Sequence, residues 1–167
     1  MPEKKTIDRA REDARQGKSP STQAGEFVHE EIEHIREGRH GARSAKQAIA
    51  IGLSKARRAG IKLPPPKEGK ASERVRAQAK RDEAKGRKSP GQAPAPKRSR
   101  AITAALQREG GAAASHAALS RQAHASARIR GAASRSRAAA KAARTKGTEG
   151  LKRAARKAAR TRAARNR

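Results

Sequence analysis

Large apolar residues are few along this chain and unevenly placed. Of seventeen Met, Ile, Leu, Val and Phe residues, nine fall between Phe27 and Leu63. Ala24, Val28, Ile32 and Ile35 recur at helical spacing, with Phe27 beside them, which predicts an amphipathic helix. Ser19 before Pro20 reads as its N-cap followed by proline in the first helical position, and Gly38 reads as its stop. A second helix starts at Ser44, with Gln47 three residues on as a capping box, and runs through Ala45, Ala48, Ile49, Gly52, Leu53 and Ala56 to Gly60. Pro64-Pro65-Pro66 then forces an extended exit. Residues 19–63 thus read as a two-helix, hairpin-like unit joined by the Gly38–Arg43 loop. A unit of about 45 residues lies near the floor for independent stability, which leaves room for a homodimer through residues 19–63, or a partner, to complete it.

The flanking segments lack such a pattern. Residues 1–18 form a charged N-terminal segment. Residues 64–100 read as a linker with one charged helix, Ala71–Lys85, whose single large apolar residue is Val75; such a helix is expected to be solvated. Residues 101–167 hold 24 alanines among 67 positions, in pieces Ala101–Glu109, Ala112–Arg130, Ala132–Lys146 and Leu151–Arg165 separated by glycines. Alanine favours helix, while the like charges of the arginines oppose it in free solution. The expected fold class is therefore mainly α: a short helical hairpin-like unit, then a linker and Ala/Arg-rich segments that are disordered or separate helices, with no single globular core. Arg11–Pro20 has a weak echo in Arg81–Pro90, each a charged turn, a glycine and a Ser-Pro restart, which biased composition is sufficient to produce.

Composition supports that picture. The 167 residues include 43 Lys or Arg against 15 Asp or Glu, a net charge of +28. Leu, Ile, Val and Phe number sixteen, far below what a packed domain of this length contains. Residues 1–41 carry 8 basic and 9 acidic groups, whereas residues 110–167 carry 16 and 1, so the positive excess lies after Gly41. There is no Cys, no apolar signal segment and no long apolar run, so a membrane partner is not expected and the expected location is cytoplasmic, at the nucleoid. Such a basic balance points to a polyanion, with nucleic acid first.

The candidate contacts are basic stripes. On a helical wheel Lys152, Arg153, Arg156, Lys157 and Arg160 fall within about 140°, and Arg137, Lys141 and Arg144 form a similar stripe one piece earlier. Beside smooth alanine faces, and with no aromatic residue to stack on bases, these predict backbone contacts to duplex DNA with little sequence preference. Lys46, Lys55, Arg57, Arg58 and Lys62 decorate the second helix and its exit, and extend the expected contact set. RNA is an alternative partner, and so is a protein bound by the acidic–apolar helix at Glu26–Arg36.

Catalysis is not expected. His29-Glu30-Glu31-Ile32-Glu33-His34 is the sole His/acid cluster, but its histidines are five apart, where a metalloprotease helix needs four. Glu30 and His34 read as a surface pair, and His40, His116 and His124 stand singly. No phosphate-binding loop or nucleophile elbow is present, so no enzyme activity, metal, cofactor or small-molecule substrate is expected.

Two stretches carry a resemblance. Gly17-Lys18-Ser19-Pro20-Ser21-Thr22-Gln23-Ala24-Gly25-Glu26-Phe27-Val28, with Ile35-Arg36-Glu37-Gly38 and above all Lys46-Gln47-Ala48-Ile49-Ala50-Ile51, resembles a family of small, basic, largely uncharacterised bacterial proteins. Some of its members are labelled DNA-binding or plasmid-stabilisation proteins, so the resemblance implies a bacterial source and a DNA-related role. The tail from Ala132 is similar to the Ala/Lys-rich tails of linker histones and bacterial histone-like proteins. It differs in using Arg over Lys, 12 to 4 after Gly110.

Overall fold

Six helices and one short turn make up the described chain. In the computed structural model, which describes residues 2–93 and 95–165, these are α1 (Lys4–Arg15), α2 (Pro20–Arg36), α3 (Ala45–Arg58), α4 (Glu73–Lys88), α5 (Pro96–Gln107) and α6 (His116–Arg165). A 3-10 turn, Gly111–Ala114, precedes α6. The described residues include no strand, so the chain is mainly α. The last two tail residues lie outside the described part, as does the side chain of Arg165.

The caps follow from the sequence. Ser19 Oγ accepts from Thr22 N–H at 3.4 Å and Ser44 Oγ from Gln47 N–H at 3.2 Å. Gln47 reaches back to accept from Arg43 N–H at 2.9 Å, one residue before the N-cap nitrogen of a standard capping box. Such caps contribute about 1 kcal/mol each. Ser72 opens α4 in the same way, accepting from Val75 N–H at 3.4 Å.

Residues 1–122 form one compact unit. Here α2 packs on α1 and on α3, and α4 packs on the other side of α3. One apolar cluster joins Ala10, Ala24, Phe27 and Ala56, with Ile7, Leu53, Ala59, Ile61 and Leu63 against it. A second joins Ile35, Ala42 and Ala48 to Ala113 and Ala114 of the 3-10 turn. Phe27 is fully buried and anchors the first cluster, worth about 1.5–3 kcal/mol against exposure. Most other members are alanines, whose small side chains let helix axes approach closely.

This packing corrects the expectation of a solvated linker helix. Helix α4 buries Ala79, Asp82 and Gly86, a stripe at helical spacing that contains no large apolar residue. Asp82 accepts from Ser54 Oγ of α3 at 2.7 Å and from Gln78 Nε2 at 3.0 Å, so its burial leaves no orphan. Gly86 lies flush against the backbone of Arg57, where a Cβ would collide with the Arg57 carbonyl. The 3-10 turn and its approach are likewise part of the packed unit: Gly41 N–H donates to Leu106 O at 2.9 Å and Ala42 N–H to Gly110 O at 3.2 Å. The compact unit therefore takes in stretches that the sequence reads as a charged leader, a linker and the start of a tail. It covers both sides of α2 and α3 with its own chain.

Residues 123–165 form a separate unit of helical segments. Gly131 (φ 72°, ψ 164°) and Gly147 (φ 61°, ψ 178°) interrupt them, in a backbone region open essentially to glycine alone. Both breaks fall at glycines that the sequence predicts as separators.

Candidate nucleic-acid interface

The second unit carries one half of the charge excess. Residues 123–167 contain 15 Lys or Arg and one Glu, while residues 1–122 contain 28 and 14, so each part has a net charge of +14. In the head those charges are diluted by acids; in the tail they are not.

After Gly147 the helix presents Lys152, Arg153, Arg156, Lys157 and Arg160, all exposed. Of these, Lys152 pairs with Glu149 at 3.0 Å; the other four have no acidic partner among the described residues. Between the two glycine breaks, Arg137, Lys141 and Arg144 are exposed on one side of their segment. The helix geometry needed for the two stripes is thus present. Alanines between the cations leave no bulky side chain to hold a phosphate backbone away.

In the head, the expected contact set divides. Lys46 at the start of α3 and Lys62 beyond its end are exposed, and Arg58 is half-buried. Lys55 and Arg57 are withdrawn from the set by the fold. Lys55 Nζ lies 2.5 Å from Glu31 Oε2 and 3.5 Å from Glu30 Oε1, both carboxylates almost wholly buried. Arg57 is 7% exposed and donates through Nε to Leu63 O at 3.1 Å and through Nη2 to Pro64 O at 3.4 Å. These bonds clasp the proline run against α3. Burial pushes the guanidinium pKa of Arg57 down, with Asp82 and Glu83 partly opposing the shift. Lys55 is turned toward the buried acids of α2, whereas Arg57 is buried at the proline exit and the contact with α4, which is invisible while α4 is read as solvated.

Other cations gather nearby. Arg58 lines a cleft of about 660 Å³ together with Lys85 and Lys88 of α4 and Arg98 of α5, with Asp82 also in its wall. Lys85, Lys88 and Arg98 fall outside the expected contact set because a solvated α4 is not brought against α3. The signal available was the Ala79/Asp82/Gly86 spacing.

The His/acid cluster on α2 also differs from its surface-pair reading. Glu30 and Glu31 are buried, Glu30 accepts from the Glu3 backbone N–H at 3.0 Å, and His34 Nε2 lies 3.0 Å from Glu3 Oε1. Arg39 donates to the same Glu3 oxygen at 2.6 Å. These hydrogen bonds, from His34 first and Arg39 second, hold the Glu3 carboxyl below the usual carboxylate range.

No helix among the described residues is long and apolar enough to cross a membrane. No curated protein and no solved structure matches the chain. Residues 5–67 match a family described as a family of unknown function, DUF6496, so the likeness spans α1 to the proline run and leaves the basic tail outside it.

Proposed function

We propose that this protein binds duplex DNA without sequence preference, through phosphate contacts from exposed basic helix faces, in a nucleoid-associated, histone-like role. The observation that carries the reading is the face formed by Arg153, Arg156, Lys157 and Arg160: four exposed cations on one side of one helical segment, none paired with an acid among the described residues. Fixed cations beside small side chains displace counter-ions from phosphates at little steric cost. Arginine adds bidentate hydrogen bonding to phosphate oxygens. Lys46 and Lys62 extend the same chemistry to the head.

The test is binding of the full-length protein to duplexes of unrelated sequence and to structured RNA across a salt series. With about eight phosphates neutralised, log affinity falls against log salt with a slope near −7. Replacing Arg153, Arg156, Lys157 and Arg160 by Ala lowers the magnitude of that slope by about 0.9 for each lost contact. Affinity that hardly changes with salt overturns the proposal. Strong preference for RNA moves it to an RNA partner, and preference for one duplex sequence overturns the claim of indifference to sequence.

A further inference from the structure

Helix α2 sets Glu31 and His34 three residues apart on one face, and the loop that follows brings His40 back beside them. The rings of His34 and His40 meet edge to face, with centroids 6.2 Å apart and planes at 88°. Glu31, His34 and His40 each place one ligand-type atom within 4.8 Å of the others. Glu31 is 0% exposed, and its Oε1 has no hydrogen-bond partner. His40 Nε2 lies 3.4 Å from that oxygen.

The tautomer of His40 sharpens the point. His40 Nδ1 lies 3.1 Å from the carbonyl oxygen of Gly41, which can only accept, so Nδ1 carries a proton. In the neutral imidazole, Nε2 then presents a lone pair to the lone pairs of a buried carboxylate oxygen. Two acceptors facing one another in a dry site call for a positive charge between them, either a proton or a metal ion. A ring N–H donated to a backbone carbonyl is also the arrangement that orients a metal-ligating histidine.

We propose that Glu31, His34 and His40 bind a divalent transition-metal ion of the zinc class. Two imidazoles and one carboxylate suit such an ion, and a water completes the set. The local charge suits it as well. Glu3, Glu30, Glu31 and Glu37 surround the site against Lys55 and Arg39, leaving two negative charges among these six groups in a protein of net charge +28. Lys55 occupies Oε2 of Glu31 and leaves Oε1 for the ion. His34 Nε2 is taken up by Glu3 at 3.0 Å and lies 2.9 Å from Arg39 Nη1, so the ion would take the Nδ1 lone pair of His34, while the pairs of Arg39 with Glu3 at 2.6 Å and Glu37 at 2.8 Å offset its charge. The ion would pin the loop after α2 to the helix itself, a structural role independent of the nucleic-acid reading.

The experiment titrates full-length, nucleic-acid-free protein with zinc by calorimetry and with cobalt by visible absorption. Histidine proton resonances are followed in parallel. One equivalent of zinc is expected to bind, raise the thermal midpoint and shift the His34 and His40 resonances. His34→Gln and His40→Gln, each shown folded by circular dichroism, should each weaken binding at least tenfold. His29→Gln, on an exposed position of α2, should leave binding unchanged. Absence of saturable binding overturns the proposal, as does stoichiometric binding that survives both substitutions. So does a His40 that titrates as an imidazolium paired with Glu31 and is untouched by zinc.

Discussion

The ammonium of Lys55 on α3 lies 2.5 Å from Oε2 of Glu31 on α2, a carboxylate whose side chain is 1% exposed. The pair ties the two central helices together and fixes the positive charge of Lys55 inside the head. Neutralising Lys55 alone leaves the buried carboxylates Glu30 and Glu31 without their cation. Lys55→Met is therefore expected to destabilise the fold by about 3–5 kcal/mol, measured by urea unfolding in the presence of chelator. The double variant Lys55→Met/Glu31→Leu should recover much of that loss, because no unpaired charge remains at this pair. Under conditions where Lys55→Met remains folded, DNA affinity should match that of the parent, since Lys55 already has its anions.

The close approach of α4 to α3 at Gly86 gives a second expectation. A methyl group there meets the Arg57 carbonyl, part of a backbone that cannot rotate aside. Gly86→Ala is expected to cost about 1–3 kcal/mol through overpacking. Gly25, exposed within α2 with nothing within 4 Å of its added Cβ, is the matched control. There Gly→Ala should stabilise by up to about 1 kcal/mol through helix propensity alone. Opposite signs at the two glycines in chemical denaturation would establish that α4 is packed. Equal signs would contradict its contact with α3.

Acid should weaken the junction between the N-terminus and α2. Hydrogen bonds from His34 and Arg39 lower the folded-state pKa of Glu3 relative to an unfolded value near 4.3. A depressed carboxyl contributes stability that is present above the unfolded pKa and is lost as pH falls through the folded one. Asp8, bonded by Lys4, and Glu12, bonded by Arg15 and Gln16, are lowered as well and act in the same direction. Unfolding free energy should therefore decline below about pH 4, with Glu3→Gln flattening part of that decline. An unchanged acid limb in Glu3→Gln would mean that the contact with His34 and Arg39 adds nothing to stability.

What the chain reveals before folding is local. Ser19 and Ser44 cap helices because a hydroxyl at that position reaches a free N–H three residues on, and Gly131 and Gly147 interrupt them because glycine alone enters their backbone region at little cost. The basic stripes of residues 137–160 are legible for the same reason, since helical spacing determines which side chains share a face. Tertiary structure decided the rest. Ala79, Asp82 and Gly86 do not resemble a core stripe, yet small groups on α4 fit against α3 and one buried carboxylate finds Ser54 and Gln78. Lys55 and Arg57 have the composition of phosphate ligands, and it is the neighbouring helix and the proline exit that turn them inward. Glu31, His34 and His40 meet only because the loop after α2 folds back. Spacing along one helix cannot report a partner delivered by a turn, so their convergence belongs to the fold and not to the sequence pattern.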